Sequence, residues 1–170
     1  MTDEKTFHVL MRFSDKLSPV ETIPAHQEVI ATMGAVWLAK AGKPMAQSKI
    51  DAINRQAEQG VETTLYLVQR VANDYELYRG TIISAARRLP KAESNLVPAY
   101  YADSHLLANA ELWIKLSALQ QAPSGEIDNL VLLNTASRAR ESLRLSTAAL
   151  FFVRRPSTER RATLNSLRQI

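Results

Sequence analysis

The amino-acid sequence predicts an α+β fold in which a small, curved and mostly antiparallel β-sheet, or an open β-barrel, is flanked by helices. Two observations lead to this class. Strand and helix patterns alternate over the first 60 residues, and β-rich runs with interspersed helical stretches dominate from residue 62 onward. The 170 residues suit one domain. We place it at residues 1–153, followed by a basic tail at residues 154–170.

The first 60 residues predict two strands and two helices. In chain order these are a strand over 6–13 with one better buried face, a helix from Thr22 to Gly34, a strand over 35–40 and a helix from Ser48 to Gly60. Thr22 is a helix-capping residue type, and Ser48 followed by Asp51 has the spacing of a capping box. Both helices are expected to stop at glycine, which readily adopts the left-handed conformation.

The rest of the chain predicts mainly strands. Residues 64–71 and 75–83 are expected to form two long antiparallel strands joined by the Asn- and Asp-containing turn at 72–74. The further elements expected are a strand over 112–116, a surface loop over 120–126, an apolar segment over 130–133, a helix over 138–147 and a final strand over 148–153. Helices interspersed among such strands favour a curved sheet over a bundle.

The net charge of +4 is concentrated at the C-terminal end. The last 17 residues contain five arginines, Arg154 and Arg155 among them, against one glutamate, so residues 1–153 sum to zero. A basic tail on a neutral body favours a polyanionic partner, because Lys and Arg that contact phosphates release condensed counterions. The alternative is that the tail is a solvated terminus without a partner.

The sequence carries no recognisable catalytic or metal-binding motif. It contains no cysteine, and its three histidines share no ligand spacing, so we expect no metal, no other cofactor and no catalytic residue. Asp103, Ser104 and His105 are the residue types of a hydrolase triad, but consecutive positions cannot present all three to one substrate atom. Asp103 is instead expected to cap a turn.

Neither a membrane span nor a signal peptide is predicted. No stretch approaches the roughly 18 consecutive apolar residues that cross a bilayer, and the first five residues lack the basic-then-apolar order of a signal peptide. We therefore expect a cytoplasmic protein that does not enter a membrane.

Aromatic side chains at two places indicate a binding cleft. Trp37 stands near Lys40 on a predicted strand, and Tyr100 with Tyr101 follows a proline in a predicted loop. Such rings can sandwich a flipped-out base, with roughly 1–3 kcal/mol gained per stacked base. The alternative, that the rings belong to the core, stays open for Trp37 and Tyr101 and is the expectation for Trp113.

Basic residues recur near these aromatic positions and in the tail. The candidates for contacts to a phosphate backbone are Lys40, Lys43, Arg87, Arg88, Arg138, Arg154 and Arg155. The alternative for each cluster is a solvated surface, and Glu141 lies close to Arg138 on a predicted helix.

Five short motifs carry a family resemblance. They are GAVW at 34–37, LYLVQR at 65–70, YELYRG at 75–80, PAYY at 98–101 and WIKL at 113–116. With the order of the elements, they resemble the PUA-like superfamily, especially its EVE and YTH-like branches, over about residues 7–153. The resemblance implies a small β-barrel flanked by helices, with an aromatic pocket that receives a modified base in RNA or DNA. It also implies a setting in prokaryotic restriction or other defence systems, beside a partner such as a nuclease.

The same resemblance implies roles for five residues. Trp37 would form a wall of the base pocket, and Tyr100 or Tyr101 would make a second contact near its rim. Ser14 and Asp103 would form hydrogen bonds to the edge of the base. The chain lacks the clear second tryptophan that better-known members carry in a pocket loop, so a complete cage around a methyl group is not implied.

The leading hypothesis is a non-catalytic module that binds nucleic acid and recognises a modified or flipped base. One alternative is a hydrolase of the same fold that acts on a nucleoside or RNA, which Lys115, Asp103 or His105 converging on one pocket would favour. Another is a protein-interaction domain, which a broad exposed apolar patch over residues 150–153 would favour.

Overall fold

The computed structural model describes residues 6–16 and 18–156. The strands are β1 (His8–Arg12), β2 (Val36–Lys40), β3 (Thr64–Val71), β4 (Asp74–Ala86), β5 (Leu112–Ala122), β6 (Val131–Leu132) and β7 (Leu150–Arg154). The helices are α1 (Thr22–Met33), α2 (Gln47–Glu58), α3 (Leu106–Asn109) and α4 (Ala139–Leu145), and short 3-10 turns span Lys91–Glu93, Ala99–Asp103 and Ser124–Asn129. Arg160, Arg161 and Arg168 of the predicted tail lie outside the described residues. No helix in the described ranges is long and apolar enough to cross a bilayer.

The strands form one open sheet in the order β2-β5-β4-β3-β1-β7-β6. β1 and β3 run parallel, whereas the other neighbouring pairs run antiparallel. This open, mostly antiparallel sheet with helices packed against it confirms the predicted α+β class. β1 lies between β3 and β7, and four consecutive residues from His8 to Met11 are buried. The expectation that one face of this strand is better buried than the other was therefore wrong, because core clusters cover both faces.

The predicted hairpin is confirmed. Val71 pairs with Asp74, so Ala72 and Asn73 form a two-residue turn. Ala72 has a positive φ of 55°, as tight hairpin turns require. The turn sets the register of the hairpin, in which Arg70 lies opposite Tyr75.

β4 and β5 are longer than the sequence indicated. Their pairing extends from Leu77 opposite Ala122 to Ala86 opposite Trp113. Because β4 offers a partner along this whole length, β5 continues through the first part of the surface loop predicted over 120–126. The loop begins only after Ala122.

The start of α1 is capped from outside the helix. Oδ1 of Asp15 accepts hydrogen bonds from the backbone N–H of Thr22 (3.0 Å) and from its hydroxyl (2.6 Å). Thr22 is thus the first helical residue rather than the cap. At the other end, Gly34 has φ of 87° and its N–H donates to the carbonyl of Ile30, which confirms the predicted stop.

The capping box predicted at Ser48 does not form. α2 begins one residue earlier, at Gln47, and no side chain caps the position of Ala46. Asp51 instead accepts a hydrogen bond from the side-chain amide of Gln47 (3.0 Å). This hydrogen bond between side chains four positions apart replaces the expected bond to the backbone.

Apolar clusters cover both faces of the sheet. On one face, Ile23 of α1 with Ile50 and Ile53 of α2 packs against β1 to β5. On the other face, α4 and the turn Ser124–Asn129 pack over β1, β3 and β4. A third cluster, formed by Trp37, Tyr101 and Trp113, lies beside β2 and β5. The candidate site lies next to this third cluster.

Candidate functional site

A pocket of about 380 Å³ opens where the ends of β1 and β2 meet the turn Ala99–Asp103. This volume is within the range of about 300–1,000 Å³ that is usual for small-molecule sites. Its aliphatic lining residues include Met11, Leu38, Leu67 and Leu106, and polar groups come from Arg12, Ser14, Ser18, Thr22, Lys40, Tyr100, Tyr101 and Ser104. No aspartate or glutamate is among its lining residues in the described ranges. We call it the aromatic pocket.

The turn reaches this position because the segment before it covers the free edge of β2. β5 pairs with one side of β2. On the other side, the N–H of Trp37 donates to the carbonyl of Leu96 (2.7 Å), and the N–H of Ala39 donates to the hydroxyl of Tyr101 (3.1 Å). These bonds satisfy donors of an edge strand. They also fix Tyr100 and Tyr101 at the pocket.

A buried chain of hydrogen bonds holds Tyr101. Nδ1 of His26 lies 2.7 Å from the carbonyl oxygen of Thr22, so this nitrogen carries the proton and donates it. Nε2 is then the acceptor for the hydroxyl of Tyr101, at 2.7 Å. Burial lowers the pKa of His26 to about 4 and raises the pKa of Tyr101 well above its ordinary value. Both groups are therefore neutral at pH 7.

Tyr100 and Phe13 supply the accessible aromatic surface of the pocket. Tyr101 is only 1% exposed, whereas Tyr100 is half-buried. The two rings stand nearly perpendicular, at 87° and with 4.9 Å between their centroids. Burial raises the pKa of Tyr100 as well, so its hydroxyl is neutral and can donate or accept a hydrogen bond.

Trp37 does not line the aromatic pocket. It is 2% exposed and packs with Tyr101 and Trp113. Its neighbours Val36 and Leu38 point into the apolar cluster that α1 and α2 cover. Because side chains alternate along β2, Trp37 points to the opposite face of the sheet. The predicted pocket wall at Trp37 is therefore corrected to a core position. Trp113 is a core residue, as expected.

A charged side chain lies close to the buried ring of Trp37. The ammonium of Lys115 lies 5.8 Å from the centroid of the Trp37 ring and forms an ion pair with Glu93. Nε1 of Trp37 is buried and has no hydrogen-bond partner among the described residues. Burying an N–H group without a partner carries a cost.

The two predicted edge-binding residues have different positions. Ser14 is exposed and lines the pocket, and its hydroxyl oxygen lies 3.3 Å from the N–H of Lys16. Asp103 is exposed but lies outside the lining, because the turn Ala99–Asp103 ends before the chain reaches the pocket again. Its neighbour Ser104 is in the lining instead. The sequence drew attention to this turn but to the wrong one of two adjacent residues.

Four of the seven candidate cations lie near the β2 side of the sheet. Ala39 pairs with Trp113, which pairs with Ala86, so the residues that follow β2 and β4 share one end of the sheet. They are Lys40, Lys43, Arg87 and Arg88. Lys40 lines the pocket, and burial lowers its pKa.

Arg87 is already engaged within the protein. Its guanidinium donates to the carbonyl of Met45 (2.8 Å) and to the side chain of Gln47 (2.7 Å). Lys43 and Arg88 are exposed. Lys40 is thus the candidate cation with direct access to the pocket.

The other three candidate cations lie at the opposite edge of the sheet. Arg138 and Arg154 both pair with Val131 of β6. The guanidinium of Arg155 donates to the hydroxyls of Tyr66 (2.7 Å) and Thr64 (2.9 Å). The seven cations therefore form two separate groups rather than one track.

Arg12 is a pocket residue that the sequence did not single out. Its guanidinium donates to the carbonyls of Leu143 (2.7 Å), Ser146 (2.6 Å) and Ala148 (2.8 Å). It therefore links the end of β1 to the connection between α4 and β7. A lone arginine in a strand gives no local signal of partners more than 130 positions away.

A wider groove of about 570 Å³ also includes Tyr100. It runs along α1, and Glu21 and Glu28 are among its lining residues. Two carboxylates disfavour a polyanionic ligand there. The aromatic pocket, whose lining contains Lys40 and no carboxylate, suits such a ligand better.

The arrangement expected of a hydrolase is not present in the described residues. Lys115 is paired with Glu93, whereas Asp103 and His105 are exposed, and none of the three lines the aromatic pocket. The apolar patch expected of a protein-interaction domain is also missing from β7. Its first three residues are half-buried and Val153 is buried.

Comparison with known proteins gives one match. A family model described as Pua-like matches residues 9–140, which include the strands and turns that form the pocket. Neither a curated protein nor a solved structure matches the chain.

Proposed function

Because the chain belongs to the PUA-like family, whose domains generally bind nucleic acids, we propose that it is a nucleic-acid-binding module whose aromatic pocket receives an unstacked base. The observation that carries this proposal is the position of Tyr100. Its ring lines a pocket of suitable volume, beside hydroxyl groups and the cations of Lys40 and Arg12. A base needs these features, because its faces stack on rings and its edges form hydrogen bonds.

The polar groups of the pocket suit the edge of a base. Ser14 and the neutral hydroxyl of Tyr100 can donate a hydrogen bond to a base. The hydroxyl of Thr22 already donates to Asp15, so it can only accept from a base. The hydroxyl of Ser104 is engaged by the carbonyl of Tyr101 and the N–H of Leu106. Lys40 contributes a cation that can pair with a phosphate oxygen. Tyr101 and His26 act below the surface, by holding the turn that carries Tyr100.

The experiment measures binding of labelled oligonucleotides of about 12 nucleotides, a length that covers one small domain. Single-stranded DNA, single-stranded RNA and duplexes are compared at low salt, each with an unmodified or a methylated central base. We expect the wild-type protein to prefer a single strand or a modified base. Replacing Tyr100 with Ala should weaken binding by about 1–3 kcal/mol, the usual loss of one stacked base.

The matched control is Tyr100→Phe, which keeps the ring and removes the hydroxyl. It should retain most of the affinity, and both variants should unfold near the wild-type urea midpoint because the side chain is only half-buried. Absence of binding to every oligonucleotide at low salt would refute the proposal. So would equal affinities of wild type and Tyr100→Ala.

No observation in the described residues favours a second function over this one. The EVE or YTH-like branch, the type of modification, the nuclease partner, the defence setting and the cytoplasmic location stay predictions.

A further inference from the structure

We propose that a second pocket, contiguous with the aromatic pocket, binds the phosphate of the nucleotide that flanks the inserted base in a single strand. This proposal rests on the proposed function. The second pocket has a volume of about 370 Å³ and shares Arg12, Phe13 and Ser14 with the aromatic pocket. A single-stranded nucleic acid that inserts a base into one pocket can therefore place its next nucleotide in the other.

The second pocket is basic. Lys16 and Arg70 line it, and no aspartate or glutamate is among its described lining residues. Within residues 6–16 and 18–156, neither cation has a carboxylate within 4.0 Å. Oδ1 of the nearby Asp15 accepts two hydrogen bonds from Thr22 at the N-terminus of α1. Both cations therefore remain available to an anion.

Arg12 lies between the two pockets and is partly engaged by the protein. Three of its five guanidinium N–H groups, on Nε and Nη2, donate to backbone carbonyls and hold the side chain in place. Lys16 and Arg70 have more donors left for a phosphate. The hydroxyl of Ser14 lies between the pockets and can contact either nucleotide. The phosphate contacts are thus assigned to Lys16 and Arg70.

An aromatic side chain accompanies these cations. Tyr75 lies directly opposite Arg70 in the β3–β4 pairing and lines the second pocket. Side chains that face each other across an antiparallel pair lie within contact distance. Within the described residues Arg70 has no carboxylate partner, and its Nε makes a long hydrogen bond to the carbonyl of Ala72 (3.4 Å). An aromatic ring beside such an arginine is the combination by which single-strand-binding surfaces hold a base and its phosphate. This combination favours a nucleotide over a simple anion.

The test measures affinity for a labelled single strand at several salt concentrations. Each phosphate contact contributes about 0.7 to the slope of log affinity against log salt for single strands. We expect Lys16→Ala and Arg70→Ala each to reduce the magnitude of this slope by about 0.7, and the double variant to reduce it by about 1.4. Arg55→Ala, which removes the same charge from an exposed position on α2, should leave the slope unchanged.

The outcomes separate this proposal from the proposed function. If the wild type binds and Tyr100→Ala weakens binding, but the double variant keeps the wild-type slope, the second pocket is refuted and the base pocket stands. If the wild type binds no strand, both are refuted. Titration with inorganic pyrophosphate is the further arm. If pyrophosphate binding depends on Lys16 and Arg70 but the affinity for the single-stranded oligonucleotide does not, the second pocket is a site for free phosphate. That result would refute the assignment of the pocket to a nucleotide.

Discussion

His8 and His26 are buried histidines whose hydrogen bonds require the neutral ring. Nδ1 of His8 accepts a hydrogen bond from the N–H of Thr64 (3.1 Å), and Nε2 of His26 accepts one from the hydroxyl of Tyr101. Burial lowers both pKa values to about 4, and the charge of Arg155 adds to the effect on His8. Protonation of either ring therefore opposes the folded state.

We expect the protein to lose stability between pH 6.5 and pH 4. In this window the unfolded chain binds protons at histidine and the folded chain does not, so the free energy of unfolding falls as pH falls. Above pH 6.5 the two histidines give no dependence, and below pH 4 their effect levels off. The loss is at most about 3 kcal/mol for each ring. Urea unfolding at pH 7.5, 6, 5 and 4 measures it.

The control for this prediction replaces each histidine with glutamine. His8→Gln and His26→Gln are expected to be less stable than wild type at pH 7.5, because hydrogen bonds are lost. They should nevertheless show a weaker pH dependence. An unchanged dependence in both variants would contradict the assignment to these rings.

The connection between α4 and β7 is an element held mainly by one side chain from a distant strand. Arg12 donates to carbonyls of Leu143, Ser146 and Ala148, and these bonds fix the last turn of α4 and the residues that follow it. Orphan carbonyls at a helix C-terminus are well matched by a cation. The planar guanidinium reaches several acceptors at once, which lysine cannot do.

Arg12→Lys is expected to lower the free energy of unfolding by about 2 kcal/mol, because charge-assisted hydrogen bonds are lost. Trypsin should also cleave faster after Arg144, whose side chain is 71% exposed at the end of α4. Urea unfolding and a time course of digestion measure the two effects. Arg88→Lys, at an exposed position, should change neither. If Arg12→Lys has the wild-type urea midpoint and the wild-type rate of digestion, the hydrogen bonds from Arg12 to these carbonyls are dispensable.

The ends of the helices and strands show which features can be predicted from neighbouring residues in the sequence. The stop at Gly34 and the turn at Ala72 and Asn73 depend on a few adjacent residues, and both were predicted. The cap of α1 by Asp15 comes from outside the helix, and the full length of β5 depends on β4. Those two features were missed because their partners are not local in sequence.

At the scale of the molecule, positive charge lies in several places. Lys40 lines the aromatic pocket, Lys16 and Arg70 line the second pocket, and Arg138 with Arg154 lies at the β6–β7 edge. Residues 157–170 add three arginines against one glutamate. Phosphate contacts of the tail with a long nucleic acid stay a prediction from this charge.

Removing residues 157–170 is expected to leave the fold intact and weaken nucleic-acid binding. The described core clusters lie within residues 7–153, so the urea midpoint should not change. The salt slope for a long single strand should fall by about 0.7 for each tail arginine that contacts a phosphate. Replacing the tail arginines with glutamine serves as the control for length. An unchanged slope would favour the solvated terminus.

The sequence by itself determined the α+β class, the hairpin and the helix stop at Gly34, and it predicted a binding role for Tyr100 and Tyr101 that stays a proposal. These features rest on residue type and on spacings of a few positions. Only the tertiary structure decided the strand order, the burial of Trp37, and the pairing of Tyr101 with His26, which are 75 positions apart. It also decided that Arg12 binds carbonyls more than 130 positions away. The physical reason is that burial and long-range hydrogen bonds depend on which segments the folded sheet brings together, and periodicity carries no information about that.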